Sequence, residues 1–320
     1  MEERLRETPA KQGEGELNRL RDGAAEIAPA LAAEVELEQL HGRGWDDRRL
    51  DALMSCTPAF LTRRLEREGH AGSTFAFCEA YFSNFIEGTE FTLEEAEDVV
   101  FNGAIPPERP ADAHDVSGAF DLVSDPSIRE RVPQDAESLE AVIQAFHRRI
   151  MASRSNARPG DYKEKANRAC NTEFVAPALV EGTLDKGWER YATLQPGLER
   201  AIFALFLIAE VHPFADGNGR VARALANAEL TAAGQQRIVF PTVLRDDYLH
   251  ALRALSRDAR PDPLIRVVDR AQQWAHEVSW ADMSAARADL ERTNAQLTSA
   301  EADDLGLVLR LPAELAARSL

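Results

Sequence analysis

The chain has 320 residues, 44% of them hydrophobic, and a formal net charge of −17 at pH 7. This length is ample for a hydrophobic core and predicts roughly two domains. The negative charge argues against sequence-independent binding to nucleic acid or to an anionic membrane. Three scattered cysteines without metal-like spacing, Cys56, Cys78 and Cys170, are interpreted as structural residues of a reduced, cytoplasmic protein.

The N-terminal region, residues 1–72, carries no motif that indicates a function. Residues 1–18 lack the apolar core of a secretory signal, and the longest apolar run of the chain is too short to span a bilayer. Apolar periodicity predicts helices over 25–40 and 46–67, with a break at Pro58. We therefore expect a soluble protein that begins with a helical region of unknown role.

A helix is predicted from Ser73 to Gly88, because apolar residues recur there at every third or fourth position. These residues are Phe75, Cys78, Phe82, Phe85 and Ile86. Ser83 and Glu87 lie one turn apart and so share a face of the helix. Taken alone, this segment is typical of an amphipathic helix that a glycine ends.

More helices are predicted along the next part of the chain. A capping box at Thr92-Leu-Glu-Glu95 opens one helix, and after a loop over 102–110 a short helix is expected over 112–123. Strong periodicity predicts another helix over 135–151, with an apolar stripe formed by Leu139, Val142, Ile143, Phe146 and Ile150. His147 lies off that stripe, so we interpret it as a surface or structural residue rather than a catalytic one.

A polar stretch then breaks the helical pattern. Residues 170–177 place two apolar side chains among short polar ones and predict a small hairpin or an extended edge strand. Helical structure is expected to resume at Trp188–Tyr191. The apolar run 201–209 predicts a buried helix, which Pro196 can open at its first turn.

The segment 212–223 reads His-Pro-Phe-Ala-Asp-Gly-Asn-Gly-Arg-Val-Ala-Arg and lies between that apolar helix and a helix predicted over 220–230, which Gly234 ends. Its two glycines allow close approach of the backbone, and Asn218 can fix the loop by side-chain hydrogen bonds. Free backbone N–H groups at a helix start bind phosphate-like anions. The sequence therefore predicts an anion-binding loop here.

The side chains of this segment indicate phosphoryl-type transfer. His212 can take a proton from an attacking hydroxyl near neutral pH. Asp216 is a hard oxygen ligand suited to Mg²⁺. Arg220 and Arg223 share a helix face and can bind two phosphates of one polyphosphate. The alternative is a polar turn in which His212 caps a helix and the arginines are solvated.

This segment resembles, at every specified position, the signature of Fic proteins, His-x-Phe-x-(Asp or Glu)-Gly-Asn-Gly-Arg-x-x-Arg. The resemblance implies an enzyme that moves AMP from ATP to a Ser, Thr or Tyr hydroxyl of a target protein. It implies His212 as the base, Asp216 as the Mg²⁺ ligand, and Arg220 and Arg223 as phosphate-binding residues. The backbone of Gly217, Asn218 and Gly219 would form the anion hole. With the helical periodicity, it predicts an all-α fold with a small β-hairpin flap.

The segment from Ser83 to Gly88 is similar to the inhibitory helix of Fic proteins, (Ser or Thr)-x-x-x-Glu-(Gly or Asn), in the class whose inhibitor precedes the core. The resemblance implies that Glu87 withholds Arg223 from the γ-phosphate of ATP. It also implies that 170–177 is the flap, at which the backbone of the target protein docks by strand addition.

The C-terminal part is predicted to form packing helices over 246–257 and 263–280. The resemblance covers about residues 73–280, which we assign to a Fic domain, and 281–320 is assigned to a helical tail. Three large aromatic residues, Tyr248, Trp274 and Trp280, are interpreted as packing residues rather than as base-stacking ones.

Other functions stay open at this point. The same site can remove AMP from a modified protein or use another diphosphate-containing donor, and a nucleotide-sensing module without turnover is a further alternative. Phosphate transfer of the toxin type is disfavoured, because that branch has Lys where Gly219 stands. The identity of the target, the modified residue and the oligomeric state, a homodimer included, are not determined by the sequence.

Overall fold

The computed structural model describes residues 51–53, 72–169 and 172–317. The helices predicted over 25–40 and 46–67 lie outside the described residues, apart from the helical residues 51–53. Cys56 and Cys170 also lie outside them. Cys78 is buried, and burial raises the pKa of its thiol to about 12, which suits a structural residue.

Over the described ranges the fold is all-α with a small β-hairpin. The helices that precede the hairpin are α1 (Ser73–Ile86), α2 (Leu93–Asn102), α3 (Pro110–Ser124), α4 (Pro126–Arg129) and α5 (Ala136–Ile150). The antiparallel hairpin consists of β1 (Arg168–Ala169) and β2 (Thr172–Glu173). The helices that follow it are α6 (Val180–Tyr191), α7 (Leu198–Val211), α8 (Asn218–Ala232), α9 (Arg245–Asp258), α10 (Asp262–Glu277), α11 (Met283–Arg292), α12 (Ser299–Leu305) and α13 (Pro312–Ala316). Within the described residues, none of these helices is long and apolar enough to cross a membrane.

The core is built around α7 and α8, which pack against each other more extensively than any other pair of described helices. Nearly every side chain of α7 is buried, as its continuous apolar sequence predicts. The segment that joins the two helices is the motif loop, residues 212–217. It is therefore anchored at both ends in the most extensively packed pair of described helices.

Helix α1 is held against α8 by a buried polar network. The carboxylate of Glu79 forms an ion pair with Arg237 and accepts a hydrogen bond from Asn227 Nδ2 at 2.8 Å. Asn227 also exchanges hydrogen bonds with the backbone of Ile238. Burial raises the pKa of Glu79, and Arg237 opposes this shift. These contacts fix the position of α1 relative to the helix that follows the motif loop.

Several predicted elements agree closely with the structure. The capping box is present, with Thr92 Oγ1 accepting from Glu95 N–H and Glu95 accepting from the backbone of Thr92. The apolar stripe of α5 is buried as predicted. Gly88 adopts a φ of +93° directly after α1, which is the left-handed geometry that favours glycine. Phe85 is only half-buried, in contrast to the other apolar residues predicted for that helix.

Two elements differ from the prediction. Helix α6 begins at Val180, well before the predicted start at Trp188. The prediction missed its first two turns because glycines weaken the helical pattern of the sequence there. One of them, Gly187, permits close packing on α7, since a Cβ there would lie 2.5 Å from Leu207 Cδ1. The hairpin lies at 168–173, slightly before the predicted 170–177, which leaves Phe174 free to pack elsewhere.

Candidate functional site

His212 stands at the C-terminal end of α7 in a left-handed conformation, with a φ of 52°. Its Nδ1 lies 3.2 Å from the carbonyl oxygen of Ala209. Because a carbonyl can only accept, Nδ1 must carry the proton and donate it. The lone pair of Nε2 is then available to accept a proton from a substrate.

The charge state of His212 follows from its surroundings. Its pKa is lowered to about 4, chiefly by burial and in smaller part by the positive charge of Lys163, while the hydrogen bond to Ala209 opposes the shift. The ring of Phe174 stacks on the imidazole with the centroids 3.7 Å apart and the planes 6° apart. The imidazole is therefore neutral at pH 7 and held in one plane, as a proton acceptor must be.

The motif loop is closed by Asn218 in the way predicted from the sequence. Its Oδ1 accepts from the N–H of Phe214 at 2.8 Å, and its Nδ2 donates to the carbonyl oxygen of Phe214 at 2.8 Å. Gly217 has a φ of +76°, which favours glycine at this turn. Helix α8 begins at Asn218, so the N–H groups of its first turn and its positive dipole end lie at the loop.

His147 supports the motif loop from α5. Its Nδ1 accepts from the N–H of Gly160 at 2.8 Å, so its Nε2 carries the proton and donates to the carbonyl oxygen of Asp216 at 3.1 Å. The ring stacks on Phe214 with the centroids 3.9 Å apart. Burial lowers its pKa to about 4. The structural interpretation of His147 agrees with this geometry, whereas a surface position is wrong, because the ring is buried against the loop.

Asp216 lies at the edge of the loop with its side chain half-exposed. Its Oδ1 accepts from the N–H of Gly217 at 2.6 Å and lies 3.6 Å from Arg220 Nη2. Its Oδ2 lies 3.4 Å from Arg154 Nη2. The carboxylate is thus accessible beside the start of α8 and faces two guanidinium groups.

Arg220 is buried, in contrast to the alternative of a solvated arginine. Its Nη1 lies 2.7 Å from Asp115 Oδ2 and donates to Asn84 Oδ1 at 3.2 Å. Asp115 also pairs with Arg154 at 3.2 Å. Sequence reasoning missed Asp115 and Arg154, since they come from α3 and from the loop after α5 and no local pattern marks them.

Arg223 contacts both residues that were singled out in α1. Its Nε donates to Ser83 Oγ at 2.9 Å, and its Nη2 donates to the carbonyl oxygen of Ser83 at 2.8 Å. The same Nη2 lies 2.7 Å from Glu87 Oε1. The glycine at 219 admits this carboxylate, because a Cβ there would lie 2.2 Å from Glu87 Oε1. The structure brings these residues together, and their inhibitory role stays a prediction.

A cleft of about 210 Å³ opens beside His212 and Arg223. Phe174 and residues of the hairpin form one side of it. The other side belongs to α9, through Tyr248, Leu249 and Leu252. Burial raises the pKa of the Tyr248 hydroxyl, which keeps it protonated. Tyr248 was predicted to pack only, yet it also lines this cleft, to which α9 contributes the polar residues Arg253 and Ser256 as well.

Comparison with known proteins agrees with this geometry. Residues 138–230 match the model of the Fic/DOC family. The protein adenylyltransferase Fic of Drosophila erecta is 27% identical over 239 residues, which cover 70% of this chain and 46% of that protein. The protein of the same name from Drosophila melanogaster is 26% identical over 242 residues, with the same coverage. The chain thus spans about half the length of these curated relatives.

Solved structures show the same fold. Fic-1 (residues 134–508) from C. elegans superposes with a TM-score of 0.52 at 20% identity, covering 84% of this chain and 76% of that one. A Fic domain containing signaling protein from Bacteroides thetaiotaomicron gives a TM-score of 0.54 at 18% identity, covering 80% and 96%. The residues that match the Fic/DOC model include α7, the whole motif loop and most of α8, so the chain is similar to Fic/DOC proteins over the segment that carries the site.

Proposed function

We propose that this protein transfers AMP from ATP to a hydroxyl group of a target protein. The observation that carries the proposal is the neutral imidazole of His212, with Nε2 free, beside the N-terminus of α8. A base next to an anion-binding helix start is the arrangement that nucleotidyl transfer requires. The names of the curated relatives support the same reaction.

In this proposal the nucleotide binds in the cleft of about 210 Å³ beside His212 and Arg223. The phosphates bind at the first turn of α8, where backbone N–H groups and Arg223, once it is released from Glu87, offset their charge, while the buried Arg220 supports the loop. The nucleoside occupies the side of the cleft lined by Tyr248 and Leu252, whose apolar surfaces suit a flat base. The α-phosphate then lies on the side of the cleft that His212 faces.

The transfer step follows from these positions. His212 Nε2 takes the proton of the target hydroxyl while its oxygen attacks the α-phosphorus. The bond from that phosphorus to the β-phosphate bridging oxygen breaks, pyrophosphate leaves, and the target carries an AMP phosphodiester. The N–H groups of the anion-binding loop offset the charge on the α-phosphate oxygens during attack. Target backbone docks at the exposed hairpin edge and so brings the hydroxyl to His212.

The residues near Asp216 fit a magnesium ion. Mg²⁺ binds through one or two carboxylates together with phosphate oxygens and water, and the half-exposed Asp216 carboxylate adjoins the loop at which phosphates would bind. Asp216 would hold the ion, which would supply positive charge to the departing pyrophosphate. Arg154 and Arg220 lie beside this carboxylate and orient it. We also propose that the reaction takes place in the cytoplasm, in keeping with the three scattered cysteines and the use of ATP.

Substitution of Asp216 by Ala is expected to abolish Mg²⁺-dependent labelling of protein by ATP. The fold should persist, because an accessible loop carboxylate contributes little to the core and such surface changes cost about 0.5 kcal/mol or less. Labelling across a Mg²⁺ titration, with thermal unfolding as the control, checks this. Full activity of Asp216→Ala at ordinary Mg²⁺ would assign the ion to another carboxylate.

The pH dependence of transfer is expected to follow the lowered pKa of His212. The base works only when it is neutral, so kcat/KM should fall as the pH drops through about 4. Above that pH the protonation of His212 should no longer change kcat/KM. An unperturbed histidine would instead lose activity near a pH of about 6.5. A profile of kcat/KM between pH 4 and 8 distinguishes the two, and a midpoint near the unperturbed value would contradict the assignment.

The reaction itself is tested with two radiolabels. The chain is incubated with lysate and either α-labelled or γ-labelled ATP, and we expect only the α-label to enter protein. Entry of the γ-label would indicate phosphate transfer instead. Absence of both labels in the parent and also in Glu87→Gly, with ATP binding intact, would favour the nucleotide-sensing alternative.

Removal of AMP from a modified protein is a second candidate, because Glu87 lines the same cleft as His212 and about one third of its side chain is exposed. A carboxylate at that position can orient a water molecule for attack on a phosphodiester. Release of AMP from a pre-modified target, measured on the same preparation, tests this direction of the reaction.

A further inference from the structure

Lys163 is a buried lysine next to the end of α7, on the polar segment that leads to the hairpin. Its Nζ donates to the carbonyl oxygen of Val211 at 3.3 Å, and its backbone N–H donates to the carbonyl oxygen of Pro213 at 2.9 Å. These two carbonyls belong to the residues immediately before and after His212. One residue therefore holds the backbone on both sides of the proposed base.

The contact at Val211 has a clear physical basis. The last carbonyls of a helix have no intrahelical partner, and a positive charge is favourable at this negative end of the helix dipole. Val211 is the last residue of α7, and the left-handed conformation that follows it at His212 is unfavourable for a residue with a Cβ. Hydrogen bonds to both flanking carbonyls stabilise that conformation and thereby fix the direction of the imidazole.

Asn167 extends this arrangement. Lys163 Nζ donates to Asn167 Oδ1 at 2.7 Å, and Asn167 Nδ2 donates to the carbonyl oxygen of Phe214 at 3.0 Å. Asn167 directly precedes the first strand of the hairpin. On the other side, Lys163 Nζ lies 6.0 Å from the centre of the Phe174 ring, which stacks on His212. The flap and the motif loop are thus joined through the Lys163 side chain.

We infer that Lys163, assisted by Asn167, is a positioning residue that holds the His212 imidazole in its proton-accepting orientation and couples the flap to the motif loop. The inference rests on the proposed AMP transfer, in which His212 is the base. Lys163 itself does not touch the reacting atoms in this assignment. Its effect is on the orientation of the ring, so it should act on turnover rather than on ATP affinity.

The burial of Lys163 adds weight to this role. A buried ammonium is costly unless it is hydrogen-bonded, and burial lowers the pKa of Lys163 to about 8. The oxygens that it contacts are a carbonyl and a side-chain amide, which are weaker partners than a carboxylate. An apolar residue would fill this space at lower cost, but it would donate no hydrogen bond to Val211.

The test compares four substitutions in the full chain and again in a Glu87→Gly background. Lys163→Met keeps the length of the side chain without its donor, and Lys163→Arg keeps the positive charge. Asn167→Ala removes the link to Phe214 at a half-buried position. Lys165→Met alters an exposed lysine two residues away and serves as the matched control. The measurements are kcat and KM for ATP, and the ¹⁵N resonances of the His212 ring, which report its tautomer.

We expect Lys163→Met to lower kcat at least tenfold with KM for ATP within threefold of the parent. The His212 resonances should shift from a single Nδ1-protonated form towards averaged tautomers. Lys163→Arg should keep most of the parental kcat and of the parental His212 ring resonances. Asn167→Ala should change both quantities in the same direction as Lys163→Met but by less, and Lys165→Met should match the parent.

The inference is overturned if kcat and the ring resonances stay at parental values in Lys163→Met, or if KM rises as much as kcat falls. If Lys163→Met does not fold, Asn167→Ala decides by the same two measurements. Failure of the proposed function is a separate result, in which neither the parent nor Glu87→Gly transfers AMP. The ¹⁵N resonances of the His212 ring would then still show whether Lys163 positions the imidazole.

Discussion

Replacing His212 by Ala is expected to lower AMP transfer roughly 10²–10⁴-fold, the usual cost of losing a general base. ATP affinity should stay within about threefold of the parent, because in the proposed arrangement the start of α8, rather than the imidazole, binds the phosphates. The imidazole carries no charge at neutral pH, so its removal also leaves the electrostatics of the phosphate site unchanged. Initial rates with α-labelled ATP, with equilibrium binding of ATP in parallel, measure the two effects.

The matched control is His250→Ala, which removes an exposed histidine of α9 that does not line the cleft beside His212. This variant should label protein at the parental rate. Labelling by His212→Ala within threefold of the parent would remove His212 from the mechanism. A parallel loss of ATP affinity would indicate that the imidazole binds the nucleotide instead of activating the hydroxyl.

The local features of the fold could be predicted from the sequence because each has a short-range cause. The capping box at Thr92 and the closing hydrogen bonds of Asn218 join residues only three or four positions apart. The motif loop was recognised for the same reason, since its chemistry is concentrated in one segment. The face shared by Ser83 and Glu87 follows from helical spacing alone.

The residues that support the site could not be found in this way, because their partners are distant in sequence. His147 contacts the carbonyl of Asp216 across 69 residues, and Arg154 contacts the Asp216 carboxylate across 62. Lys163 lies 48 residues from Val211 within a stretch that looks merely polar. These contacts exist only because α5 and the segment after it pack against the motif loop. The pattern of residues in the sequence does not indicate that packing.

The partnership of Glu87 and Arg223 shows how two short-range patterns combine through tertiary structure. They lie 136 residues apart, yet α1 packs beside α8 through the Glu79 network, which sets Glu87 over the first turn of α8. The Glu87 carboxylate occupies the space beside Gly219 and pairs with Arg223, the residue that we propose to bind phosphate. Ser83 also accepts hydrogen bonds from Nε and Nη2 of that guanidinium.

The strength of this contact sets the expected inhibition. A hydrogen bond to a charged group contributes about 1.5–3 kcal/mol. This free energy corresponds to about a tenfold to 150-fold bias against the state in which Arg223 binds phosphate. A negative carboxylate beside the phosphate site adds repulsion in the same direction.

Glu87→Gly is therefore expected to raise labelling of protein by α-labelled ATP about tenfold to 150-fold over the parent. Glu90→Gly, at an exposed glutamate just beyond Gly88, is the matched control and should leave labelling unchanged. Combining Glu87→Gly with His212→Ala should return the signal to background, since release of Arg223 cannot replace the base. The same variants are assayed for release of AMP from a pre-modified target. If Glu87 serves removal of AMP, that release stops in Glu87→Gly, whereas forward labelling no higher than in the parent would refute the inhibitory role of Glu87.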